Sequence, residues 1–459
     1  MPPTTFLAAA LLLALAAPAL AQDVAAATRA AAPQKKPWTI LVYGAADNNA
    51  DGPILGFLDG VRKAIDDDPG LDLLLFIDRH EKYSTDAKVL GEDFTGCRLY
   101  RLKKESAERL AGGSHMPQLT TYSETELDSA DATTLGRFIA WGKEQSPAKR
   151  YCLLIYSHAD GRTMCPDEQS GRHMGIAEAT HEIGAGGHVD FLALELCNMG
   201  GIEIAYQWRP PSDSTAPHKG LTADVLLAIP NAGPPLDWHR AFARIRSDGH
   251  LSNAQQPPLD PAIMTAADFG ALVIEEGELG RKAAAGRGRN VSHEAAAAYD
   301  LREAAAVKEA VDALAAALSA AGPAAKDTFL GLRTAGGPLM TYGNGGAAVD
   351  LYQLCQRAAE CGALDTPSRD AARAAMERID RFILASFGMG AYAGFEPGKH
   401  GVFIALPKPG QWAGFKGWYT PGPGSGDDYG RWAFLNDGRA GEGARTWYLL
   451  LKSWMDTPR

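Results

Sequence analysis

Two short apolar runs in this chain each end on a residue able to do acyl chemistry. Tyr151-Cys152-Leu153-Leu154-Ile155-Tyr156-Ser157 stops at His158-Ala159-Asp160, and Val189-Asp190-Phe191-Leu192-Ala193-Leu194-Glu195-Leu196 stops at Cys197-Asn198-Met199-Gly200. Runs of this kind, bounded by turn residues, read as buried parallel strands. In open α/β sheets, chemistry collects just beyond the carboxyl ends of such strands. A thiolate is a strong nucleophile, and an imidazole beside it can take its proton and pass one to a leaving amine. Cys197 and His158 therefore make a candidate nucleophile and base, and the chemistry they suggest is that of a cysteine hydrolase. A helix expected from about 200 to 206 would set its dipole and free N–H groups near the sulfur.

The elements that must hold them alternate along the first half. A strand is expected over 38–43, ending at Asp47-Asn48-Asn49. A helix follows over 53–66, with Ile54, Leu55, Leu58, Val61 and Ile65 at helical spacing. Another strand covers 71–77, and 97–102 alternates like an edge strand. Asp131 is the expected N-cap of a helix reaching 145, and 223–229 gives one more strand. This order predicts an α/β three-layer sandwich. After about 250 the character shifts. The Ala-, Glu-, Lys- and Arg-rich stretch 275–321 reads as helical with a break near 286–288, and 349–387 reads as a second helical region. A strand at 401–407 and aromatic helical segments over 432–454 complete the chain, the second half packing on the first.

Composition narrows the classes. Of 459 residues, 46% are apolar and 22% charged, the balance of an ordinary globular protein. A net charge of -10 argues against a nucleic-acid partner, because phosphate binding needs a basic surface. Beyond the N-terminus no stretch approaches a spanning length of about 18 apolar residues. Residues 6–17 are almost wholly Leu and Ala, and Ala19-Leu20-Ala21 offers a small-x-small cleavage pattern, although Met1 to Thr5 carries no Lys or Arg. A signal peptide over 1–21 and a flexible lead-in over 22–37 are expected, which makes the protein exported, periplasmic or secreted. Six cysteines would allow three disulfides, but a nucleophilic Cys197 leaves five. Cys355 and Cys361 are then the best local pair.

Several blocks, taken in order, carry a family resemblance. They are Trp38-Thr39-Ile40-Leu41-Val42-Tyr43 with Ala46-Asp47-Asn48, Ile155-Tyr156-Ser157-His158, and Leu194-Glu195-Leu196-Cys197-Asn198-Met199 followed by Glu203-Ile204-Ala205-Tyr206. Weaker echoes are Ala348-Val349-Asp350-Leu351 and His400-Gly401-Val402-Phe403-Ile404-Ala405-Leu406-Pro407. From Trp38 to about Trp454 the chain resembles the clostripain-family cysteine peptidases, within the group that shares the caspase and gingipain fold. The resemblance implies a caspase-like sandwich with a mostly parallel sheet over 38–250 and a mainly helical region over 251–459. It also implies an exported endopeptidase acting on protein or peptide substrates. His158 would be the acid-base, Cys197 the nucleophile, and the backbone N–H groups of Ala159 and Cys197 the oxyanion hole. Glu195 would line the S1 pocket and pair an Arg or Lys of the substrate. No cofactor is required, and a calcium ion is compatible with the family. Arg162 and Arg172 are the basic sites at which a chain of this kind would be cut between His and Cys.

Three departures bear on specificity: Ala159 stands where the family has Gly, Glu195 where it has Asp, and the loop over 228–238 differs. They motivate an alternative, a binding protein that kept the peptidase fold. Among weaker signals, His173, His181, Glu182 and His188 lack zinc-helix spacing and read as a solvated loop. Asp47, Asn49 and Asp51 alternate like a calcium loop without its Gly and bidentate Glu. Arg281-Lys282 and Arg287-Gly288-Arg289 read as a basic, solvated helix break.

Overall fold

The computed structural model describes residues 35–181, 183, 187–210, 220–250, 256–291, 293–343, 346–412, 434 and 447–456. The expected signal peptide and Glu182 lie outside these residues. In chain order the strands are β1 (Lys36–Ala46), β2 (Leu71–Arg79), β3 (Gly96–Lys103), β4 (Ser106–Leu110), β5 (Ala148–Tyr156), β6 (Thr163–Asp167) and β7 (Arg172–Gly175). There follow β8 (His188–Glu195), β9 (Thr222–Ala228), β10 (His293–Asp300), β11 (Thr341–Tyr342), β12 (Ala348–Asp350), β13 (Ile383–Gly390) and β14 (Phe403–Ala405). Nine of them form one sheet in the order β13-β10-β9-β8-β5-β1-β2-β3-β4, while β11-β12-β14 and β6-β7 stand apart. The middle of the sheet, β9-β8-β5-β1-β2, is parallel. Its two flanks are antiparallel.

Successive residues of a strand point to opposite faces. Along β1, Trp38, Ile40 and Val42 enter one core while Leu41 and Tyr43 enter the other. Both faces are covered, so the strands carry unbroken apolar runs. Helices Asp51–Ala64, Trp238–Arg244 and Ala266–Gly286 lie on one side, contributing Leu58, Phe242 and Phe269. Helices Ala132–Gln145, Ala304–Ala320 and Thr366–Phe382 lie on the other, contributing Phe138, Val311 and Ile379. Each such side chain, fully buried, is worth about 1.5–3 kcal/mol. The expected cap is present: Asp131 accepts from the Thr133 N–H at 2.8 Å. This is the caspase-like three-layer sandwich.

Two expectations are corrected. The stretch 97–102 is not an edge, because β4 pairs outside β3. The Ala-rich segment after the helix break is not helical; His293–Asp300 is β10, between β9 and β13. Alanine favours helices, yet tertiary packing overrides that weak preference. A Cβ added to Gly270 would meet Ala298 at 3.2 Å, and one added to Gly401 would meet Ala297 at 3.0 Å. Backbone thus approaches β10 closely from both faces, and only small side chains fit. With β10 and β13, the sheet draws strands from both sides of residue 250.

Candidate active site

The site grows from register. β5 and β8 are parallel neighbours, and the last pair in register is Tyr156 with Glu195. His158 and Cys197 each lie two residues further on, so they leave the sheet level with one another on adjacent strands. On the other side of β5, Gly44 of β1 is level with Tyr156, which brings the turn after β1 to the same edge. Asn48 fixes that turn: its amide donates to Ala45 O (3.1 Å) and Pro166 O (2.7 Å), and its oxygen accepts from Ala50 N at 2.8 Å. The next residue, Asn49, meets His158, with Oδ1 2.6 Å from Nε2. An amide oxygen only accepts, so Nε2 carries the hydrogen and Nδ1 of the neutral ring is left as the acceptor. Partial loss of solvent holds the His158 pKa below its ordinary value. Sequence reading did not single out Asn49 as a partner of His158, although the Asp-Asn turn ending the first strand was its available signal.

Beyond His158 the chain folds back as the β6-β7 hairpin. Ala159 bridges Met164. The flanking bonds run from Asp160 N to Thr163 O (3.2 Å) and from Cys165 N to His158 O (3.0 Å), so the bridge leaves the Ala159 N–H unclaimed. Arg162 pairs with Asp160 at 3.0 Å, and Arg172 with Asp128 at 2.8 Å and Glu178 at 3.2 Å, so both basic residues are engaged within this hairpin region.

Cys197 is half-buried. Behind it, Asn198 adopts a left-handed φ of 62°, a conformation unusual outside glycine and most tolerable for Asn. The Asn198 and Met199 N–H groups donate to Asn231 O (3.1 Å) and Ile229 O (2.9 Å). Gly200 permits this close passage, since a Cβ there would lie 2.7 Å from the Pro230 Cα. The turn behind the thiol is therefore stitched to the loop after β9. One expectation fails here. The following helix starts at Ile202 and spans only Ile202–Gln207, so Cys197 lies outside its first turn, where the dipole acts.

Glu195 is buried and looks away from solvent. Its two oxygens accept from Leu236 N (3.0 Å) and Trp238 Nε1 (2.5 Å). The structure thus gives it other partners than the substrate cation expected from the sequence. Burial raises its pKa to about 7 against the pull of those two donors. On the outer side Arg281 holds the same loop, donating to the Pro234 and Pro235 carbonyls and pairing with Asp237 and Glu294. Arg281 is accordingly no solvated hinge but a buried residue inside helix Ala266–Gly286.

Other expectations scatter. All six cysteines are free thiols. Cys355 lies within helix Leu351–Glu360 and Cys361 caps it; six residues of helix rise about 9 Å, beyond the roughly 7 Å Cα limit for a disulfide. His173 is exposed on β7, and His188 turns to Thr222 Oγ1 at 3.1 Å. The Asp47-Asn49-Asp51 alternation divides three ways. Asn49 meets His158, and Asp51 forms a buried pair with Arg79 at 2.8 Å. Asp47 joins Glu126 and Asp167, their carboxylate oxygens within 4.8 Å of one another, and Asp78 and Cys97 form a second such group with Glu126. Among the described residues no helix is long and apolar enough to cross a membrane.

The same arrangement has known relatives. The model of the Clostripain family matches residues 42–454, covering both halves of the sheet. The clostripain of Hathewaya histolytica is 31% identical over 472 residues, taking in 91% of this chain and 87% of that protein. An inactive zymogen C11 protease from Parabacteroides distasonis superposes with a TM-score of 0.55 at 16% identity, over 84% of this chain and 98% of its own. A secreted C11 cysteine protease from Bacteroides thetaiotaomicron, solved with an irreversible peptide inhibitor, gives 0.53 at 16% identity over 86% and 99%. The two structures share the fold, and the sequence match carries the kinship. The chain belongs to the clostripain family and is a cysteine-type endopeptidase of protein or peptide substrates.

Proposed function

We propose that peptide bonds are cleaved through a Cys197–His158 dyad. The observation that carries this is the level register of β5 and β8, which starts both residues from one edge. His158 Nδ1 takes the proton from Cys197 Sγ, and the thiolate adds to the scissile carbonyl carbon, moving the π pair onto oxygen. The N–H groups of Ala159 and Cys197 receive that oxyanion; the unclaimed Ala159 donor supports its part. When the carbonyl reforms, the C–N bond breaks and His158 protonates the departing amine. Water then attacks the thioester and returns the thiol. Asn49 keeps the ring in the tautomer this sequence of steps needs.

A preference for Arg or Lys at P1 belongs to this proposal through family kinship, with Glu195 acting on the pocket by holding its loop. Export belongs to it through the signal peptide expected over 1–21. Fluorogenic peptides with Arg, Lys or neutral P1 residues test the whole reading, and the Arg and Lys peptides should turn over fastest. Turnover of none, together with no alkylation of Cys197, would sink it. Secretion is tested by expressing the full chain and sequencing the mature N-terminus, which should begin at Gln22.

Asn49 yields a second expected outcome. Asn49→Ala frees the His158 ring and lowers kcat about 10- to 100-fold with little change in KM. Asn49→Asp sets a carboxylate against Nε2 and favours the imidazolium. Its acid limb in the pH profile of kcat/KM should move up, whereas the wild-type limb should lie below the ordinary imidazole value, because desolvation lowers the His158 pKa. Equal profiles for wild type and Asn49→Asp would remove Asn49 from the mechanism.

A further inference from the structure

The turn that carries Cys197 is held from two sides, and only one of them belongs to its own half of the chain. On that side the Ile229 and Asn231 carbonyls receive the N–H groups of Met199 and Asn198. On the other, the Gly200 carbonyl accepts from Phe403 N of β14 at 3.0 Å, and Gly201 bridges Phe403. The passage is tight. A Cβ on Gly201 would meet the Phe403 ring at 2.5 Å, and one on Gly200 would lie 2.9 Å from the Tyr299 hydroxyl. Tyr299, near the end of β10, is fully buried. Its ring stacks on Phe382 at 4.9 Å, and its hydroxyl lies between two carbonyl oxygens, 2.6 Å from Gly401 O and 3.4 Å from Gly200 O. Burial and then the charge of Asp350 hold this phenol well above its ordinary pKa, so it stays a donor.

Gly401 is itself anchored. Its N–H donates to Asp350 Oδ2 at 3.1 Å, and the same fully buried carboxylate accepts from Tyr342 Oη (2.8 Å), Gln353 N (2.8 Å) and His400 Nδ1 (2.9 Å). Donors on both oxygens fix the segment from His400 to Phe403, which is remote in sequence from Cys197 but packed against its turn. We propose that Tyr299 is a positioning residue for Cys197, a strut between Gly401 and the Gly200 carbonyl, with the Asp350 carboxylate as its footing. The proposal rests on Cys197 being the nucleophile. Its sulfur must meet both the scissile carbonyl and His158, and a misplacement of about 1 Å costs on the order of 10²-fold in rate. Tyr299 is enclosed and touches no substrate, so its loss should fall on kcat rather than on binding.

Tyr299→Phe in the full chain keeps the ring and its stack on Phe382 and removes only the hydroxyl. It should lower kcat about 5- to 30-fold for every P1 peptide, with KM within about twofold. It should also slow iodoacetamide labelling of Cys197, followed by mass spectrometry on the Cys197 peptide, about three- to tenfold. Asp350→Asn should move both readings the same way. Tyr100→Phe is the matched control. Tyr100 is buried on β3, at the opposite flank of the sheet, and its phenol bonds Glu92 Oε1 at 2.6 Å. That variant should keep kcat and the labelling rate within about twofold of wild type. Wild-type kcat and labelling in Tyr299→Phe would overturn the proposal. So would equal losses in Tyr100→Phe, which would make the effect one of general stability, and so would a change carried by KM alone. The reading beneath it fails separately: peptide turnover retained by Cys197→Ala would remove the nucleophile, whatever Tyr299→Phe does.

Discussion

On the proposed dyad, Cys197→Ala should abolish peptide cleavage, lowering kcat/KM by about 10⁴-fold or more, and leave the fold intact. The argument begins with the other thiols. Cys97, Cys152, Cys165 and Cys355 are buried, and burial pushes each of them above the ordinary thiol pKa, Cys355 to about 12. A protonated, enclosed thiol neither attacks a carbonyl nor meets an alkylator. Cys361 is half-exposed, but it caps a helix in the second half of the chain. Cys197 is the thiol that leaves the sheet beside His158. His158→Ala should cost nearly as much, because without the base the thiol keeps its proton and the leaving amine gains none. If the two act as the proposed unit, the double variant should fall little further than either single one. His158 is exposed and Cys197 half-buried, so circular dichroism and Tm should stay near wild type. Peptide turnover retained by Cys197→Ala, in protein of wild-type Tm, would exclude the dyad.

Much of this site was legible in the sequence because its backbone is built from local signals. A strand covered on both faces must be apolar throughout, and β1, β5 and β8 are. Turn residues mark where each stops, and His158 and Cys197 stand at those stops. Long-range partners left no such mark. The family resemblance made Glu195 a pocket acid, but Leu236 and Trp238 arrive from beyond the next strand and occupy it. The strand β10 was hidden because alanine suits a helix in isolation, while the nearby Gly270 and Gly401 that require small residues there are distant in sequence. Asp47 alternates with Asn49 and Asp51 along the chain, yet the carboxylates beside it, Glu126 and Asp167, come from other segments. Spacing along a chain reports what neighbours in sequence share; it says little about side chains gathered across a sheet edge.

Glu195 separates the two kinds of role most sharply. Glu195→Ala removes the acceptor for two buried donors, the Leu236 N–H and the Trp238 indole, and leaves a cavity, a destabilisation of about 3–5 kcal/mol. The freed loop carries Ile229 O and Asn231 O, which hold the two residues after Cys197. Activity should therefore fall for Arg, Lys and neutral P1 peptides alike. A loss confined to the basic peptides would instead make Glu195 their direct contact. The pH dependence carries a sign as well. Its folded pKa of about 7 stands above the unfolded value of about 4.3, so the folded state binds the extra proton between them. The stability this contributes is fully present below about pH 4.3 and is lost as pH rises to about 7, a change of roughly 4 kcal/mol. Glu195→Ala lacks that dependence. In urea unfolding, the gap between wild type and variant should be wide at about pH 5 and should narrow by most of that amount at about pH 8. A gap that widened with pH would mean that the carboxylate is stabilised in its charged form, and that Leu236 and Trp238 outweigh burial.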